Sequence, residues 1–169
     1  MQLLKLLEAW NGKDLSVLER VYRANSGDGA FLAELVARLG SETSEEHQVA
    51  VTWLIKKSLE LGAKMKAAEV GLLLACLPRL GAWGAVLHVL QCLPHLAISA
   101  RARPAVESFL RDSLDSDNKL VRAWAYNGFH VLSLQYPQYR GEAKRLLAKG
   151  LKDNAASVKA RIRRILAGG

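Results

Sequence analysis

The chain has 169 residues, half of them hydrophobic and 24% charged, enough to bury one substantial core and too ordinary in charge for wholesale disorder. Its net charge of +8 points to an acidic partner, whether protein, nucleic acid or lipid surface, without choosing among them. Only two cysteines are present, Cys76 and Cys92, both in apolar stretches, which argues against a disulfide scaffold and for buried free thiols in a reducing cytoplasm.

Read for helical periodicity, the chain divides into ten predicted helices, near residues 2–10, 14–24, 29–39, 44–61, 65–78, 82–93, 99–114, 118–134, 138–150 and 154–167. The breaks carry stop and start chemistry: Asn11-Gly12, Ser26-Gly27-Asp28-Gly29, Gly40-Ser41, Gly62, Gly81, Pro94, Asp115-Ser116-Asp117, Pro137 and Asp153-Asn154. Thr43 and Glu46 have the spacing of a capping box. The start, MQLLKLLEAW, carries Glu8 and lacks the features of a signal peptide. The longest apolar stretch, from Val70 to Leu77, is too short to cross a bilayer. A soluble cytoplasmic protein without membrane association is the expectation.

The second helix of each pair shares a register. Val17, Val51, Ala85, Val121 and Val158 serve as anchors, each followed at helical spacing by further apolar or small residues. They are 34, 34, 36 and 37 residues apart. A near-constant period of that size is the mark of stacked helix pairs, because one pair cannot bury its apolar face alone.

The stretches Asp115–Leu132 and Lys152–Leu166 resemble the second-helix signature of HEAT repeats: a polar or acidic turn, a valine followed by a basic residue, then small and aliphatic residues. Asp115 or Asp117 with Arg122, and Asp153 with Lys159, match the family's turn acid and following base. The earlier repeats depart from this signature, with Leu18, Thr52 and Val86 after the anchor, and there tetratricopeptide or armadillo-like pairing stays open. The resemblance implies an all-α fold, an α-α superhelix of about five helix pairs spanning 1–169 as a single domain. It implies too that the turn acids and bases cap helices and bridge adjacent repeats, and that the second helices line a concave surface.

On that surface, positions two, five, six and nine after each anchor should point away from the core. They comprise Glu19, Tyr22 and Arg23; Trp53, Lys56, Lys57 and Glu60; Leu87, Leu90 and Gln91; Tyr126, Asn127 and His130; and Arg163 and Arg164. The candidate partner-binding residues are Tyr22, Arg23, Trp53, Lys56, Lys57, Tyr126, Asn127, His130, Arg163 and Arg164. Tyrosine, tryptophan and arginine are frequent interface anchors, and they also stack on bases or pair with phosphates.

Charge is polarised along the chain. Residues 1–80 hold ten basic and ten acidic side chains, whereas residues 118–169 hold eleven basic ones and two acidic ones, Glu142 and Asp153. Such an end attracts a polyanion.

Nothing in the sequence has catalytic or metal-ligating spacing. The histidines, His47, His88, His95 and His130, form no HExxH motif, and His88 with Cys92 reads as a core pair four residues apart. Neither a cofactor nor enzymatic activity is expected. The leading expectation is a non-enzymatic module that binds an acidic protein or peptide. Nucleic-acid binding is the second, because similar HEAT-like solenoids include DNA alkylation-repair glycosylases. Those enzymes use aromatic side chains and an essential aspartate, for which Trp53, Trp124 or Tyr126 are available here, but only Glu19 and Glu60 as acids.

Overall fold

The computed structural model describes residues 7, 10–41 and 44–168. Among them are nine α-helices and no strand: α1 (Leu15–Asn25), α2 (Phe31–Ser41), α3 (Glu45–Glu60), α4 (Ala67–Ala75), α5 (Trp83–Cys92), α6 (Arg103–Leu114), α7 (Lys119–Gln135), α8 (Arg140–Gly150) and α9 (Ala156–Leu166). The all-helical expectation holds. Most of the segment at 2–10 lies outside the described residues, as does Thr43 of the expected capping box; Leu7 and Trp10 are described, and both are buried.

Local chemistry accounts for the helix boundaries. Asp14 caps α1 by accepting the Ser16 amide at 2.9 Å, Ser44 caps α3, and Asn118 caps α7 by accepting the amides of Leu120 and Val121. At α4 the carboxylate of Glu69 reaches back to the Lys66 amide at 2.8 Å. Gly62, at φ +98°, takes the left-handed conformation that follows the end of α3 at little steric cost. Pro78, Pro94 and Pro137 each open a short 3₁₀ turn, and for this reason α4 and α5 end earlier than periodicity alone predicts. Gly40, expected as a break, lies inside α2.

The chain forms two compact units, residues 1–96 and 97–169. In the first, α3 packs against α1, α2 and α5, and α2 also packs against α4. In the second, α7 packs against α6, α8 and α9, and α8 also touches α9. The expected anchor face is largely inside: Val51, Ile55, Ser58 and Leu59, Ala85, Val89, Cys92 and Leu93, then Val121, Ala125, Gly128 and Phe129 are all buried. The first repeat is an exception, since Leu18 and Val21 are buried while Val17 is only half-buried and Ala24 is exposed. At the other end, Val158, Ile162 and Ile165 are buried but Leu166 is exposed.

Side-chain hydrogen bonds between elements join residues 31 to 39 apart in the chain. Gln48 spans to the Arg79 carbonyl and the Gly81 amide, 31 and 33 residues on. Thr52 meets His88 at a separation of 36, and Arg79 reaches the Gly40 carbonyl at 39. In the second unit Arg111 meets Glu142, Arg122 meets Asp153 and Tyr139 meets Glu107, at separations of 31, 31 and 32. Gln135 and Tyr136 bond to Ile98, 37 and 38 residues earlier. Polar groups of one helix pair thus satisfy those of a neighbour, besides the apolar packing.

Candidate interaction surface

In the first unit, Tyr22 on α1 is half-buried and lines a cleft of about 250 Å3 with Phe31, Leu32, Lys64 and Glu69, while Arg23 is exposed. On α3, Trp53 is half-buried and the Lys57 ammonium stands 5.7 Å from its ring centroid. Lys57 is also held by Glu19 at 2.9 Å, and Lys56 pairs with Glu60 at 3.5 Å. Both lysines expected on the open face are therefore matched by carboxylates of the same unit.

His88 lies 3.1 Å from the Thr52 hydroxyl, and burial, with a smaller push from Lys56, holds its pKa down at about 4. It is neutral near pH 7. Cys76 and Cys92 are buried free thiols, and burial pushes the Cys92 thiol far up. Leu87 and Leu90, expected to face outward, are buried on α5.

The second unit corrects two site residues. Tyr126 is 5% exposed and Asn127 is 9% exposed, so neither points away from the core. Tyr126 packs with Ala123, Leu147, Val158, Ile162 and Ile165. The reason is that α8 and α9 both pack on α7 and cover the side that carries Tyr126. His130 is half-buried, and Arg163 and Arg164 are exposed, as expected for an outward face.

The electrostatics of this unit follow from where its few acids sit. Both carboxylates of residues 118–169 are occupied. Arg111 donates to Glu142 at 2.6 and 3.1 Å and also pairs with Glu107, and the hydrogen bonds from Arg111 hold the Glu142 carboxyl below its ordinary range. Asp153 receives the Arg122 guanidinium through two bonds, at 3.1 and 3.2 Å, which likewise lowers its pKa. Arg122 in turn also donates to the carbonyls of Ser116 and Asp117.

Most of the remaining cations are outside such pairs. Lys119, Arg140, Lys144, Arg145, Lys149, Lys152, Arg163 and Arg164 are exposed and enter no ion pair among the described residues. Arg161 is half-buried, with its guanidinium carbon 3.9 Å from the centroid of the Trp124 ring. The sequence reading did not place Trp124 and Arg161 together. Each lies three residues after its anchor, Val121 and Val158, and that shared register was the available signal.

The other rings of the unit are engaged. Phe109, Tyr126, Phe129 and Tyr139 are buried, and the Tyr136 ring carries Arg103 at 5.3 Å. Among the described residues no helix is long and apolar enough to cross a membrane, and no group of three or more His, Cys, Asp or Glu side chains is placed to hold a metal ion. Comparison with protein-family models, with curated proteins and with solved structures finds no match.

Proposed function

We propose that the chain is a non-enzymatic interaction module, a HEAT-like α-solenoid of about five helix pairs whose basic C-terminal repeats dock an acidic protein or peptide. The observation that carries this reading is the imbalance of partners within residues 118–169. Both carboxylates there are bound to Arg111 and Arg122, while seven exposed lysines and arginines on and around α8 and α9 have none. A terminal repeat needs a polar outer surface for solubility, but solubility does not require a single sign of charge. Lys56 and Lys57, already held by Glu60 and Glu19, add less to such a surface.

The HEAT-like reading is supported by the hydrogen bonds that join residues 31 to 39 apart, above all the one from Arg122 to Asp153, the turn acid of the following repeat. An acidic polypeptide is preferred to nucleic acid because the second unit's rings are already engaged. Four are buried, Tyr136 lies under Arg103, and Trp124 carries Arg161 on one face. Sequence-tolerant binding of single strands draws on open aromatic faces for base stacking.

The test is titration of the full chain with fluorescein-labelled oligoglutamate and, separately, with an oligodeoxythymidylate of the same length, across a range of salt. The reading requires saturable oligoglutamate binding that weakens with salt and exceeds binding of the oligonucleotide. Absence of oligoglutamate binding at low salt would overturn it, and tighter binding of the oligonucleotide would transfer the site to nucleic acid.

A further inference from the structure

Arg161 differs from Arg111 and Arg122 of its unit, and from Arg103, which lies over Tyr136 but has the charge of Glu107 one turn on. Arg111 and Arg122 each have a carboxylate within about hydrogen-bonding reach, at 2.6 Å and 3.1 Å. Arg161 has Trp124 under its guanidinium plane and, one helical turn on, a second cation in Arg164. Its burial, and then the charge of Arg164, disfavour its protonated form relative to an ordinary arginine. Two like charges at this spacing repel, and partial desolvation adds to the cost of the inner one.

We infer that Trp124, Arg161 and Arg164 form the anchoring point of the docking surface, a subsite in which the two guanidinium groups receive a carboxylate of an acidic protein segment. This rests on the reading of the second unit as the docking end. Stacking on an indole uses the face of a guanidinium and leaves its in-plane N–H donors available, so Arg161 keeps the fork that matches a carboxylate. The stacked side chain has also lost rotamer freedom before any ligand arrives, which lowers the entropic cost of binding. An incoming carboxylate supplies a counter-charge that Glu142 and Asp153, already bound elsewhere, do not.

The subsite is separable from the general charge of the surface. R161K–R164K retains every charge and removes both planar forks. K144Q–K149Q removes two exposed charges elsewhere and leaves the forks intact. With oligoglutamate as the probe at low salt, R161K–R164K is expected to weaken binding roughly tenfold, and K144Q–K149Q only about two- to threefold. W124A should fall with the lysine variant, while circular dichroism reports whether its helices persist; if they do not, the lysine variant alone decides. Wild-type affinity in R161K–R164K would overturn the subsite and leave the docking end standing. Failure of the wild-type chain to bind oligoglutamate at all would overturn both.

Discussion

Arg122, at the start of α7, donates twice into the carboxylate of Asp153, 31 residues later in the turn before α9. The two side chains are 17% and 13% exposed, so the pair is largely withdrawn from water. Asp153 also accepts the Ala155 amide at 2.8 Å, and Arg122 holds two backbone carbonyls. One ion pair therefore ties a helix start to the turn of the next pair. R122A leaves a carboxylate and two carbonyls without their donor, and is expected to cost about 2 kcal/mol; D153N keeps part of the bonding and should cost about 1 kcal/mol. Urea unfolding of the two variants checks the order, which would be wrong if D153N were the more damaging.

Two glycines inside helices should respond to alanine with opposite signs. At Gly150 a Cβ atom would lie within 3.0 Å of Tyr126 carbons and also against Ile162 Cδ1, in the core of the second unit. G150A is expected to destabilise by about 2 kcal/mol through overpacking. At Gly71, in α4, a Cβ atom would meet nothing within 4 Å. G71A should stabilise by about 0.5 kcal/mol, because the unfolded chain loses freedom and the helix gains a better former. Thermal unfolding of both variants provides the comparison.

His88 makes stability depend on pH in a defined direction. Its folded pKa of about 4 lies below the unfolded value of 6.5, so the unfolded chain binds the extra proton first. Its contribution is present above the unfolded value and is lost as pH falls toward the folded one. Between about pH 7 and pH 4 the wild type should lose on the order of 2 kcal/mol more than H88Q, which does not titrate. Equal pH dependence in the two proteins would contradict the burial-driven shift.

How far the fold was legible in the sequence depended on whether a neighbouring helix covers positions outside the main apolar face. On α3 and α5 the anchors and their followers mark the buried face correctly, and caps and prolines mark most boundaries. On α7 the same template sent Tyr126 and Asn127 outward, because a period of 3.6 identifies one apolar face and cannot tell that α8 and α9 cover the side of this helix that carries Tyr126. Lys56 and Lys57 read as open cations because their partners Glu60 and Glu19 were counted on the same outward face, without regard to distance. Arg163 and Arg164 were placed outward correctly, on a helix at the end of the chain that packs against α7 and α8. The Trp124–Arg161 contact joins residues 37 apart in the chain, and only aligning the two repeats on their anchors brings those positions into register.

The central claim is that docking depends on the second unit's unmatched cations rather than on net charge. Two charge-reversal variants with the same change in net charge separate these: K56E–K57E in the first unit, and K149E–R163E in the second. Measured by oligoglutamate titration at one low salt concentration, the first should bind within about threefold of the wild type and the second should lose roughly tenfold. Equal losses in the two variants would contradict the account, because affinity would then follow total charge and not the C-terminal surface.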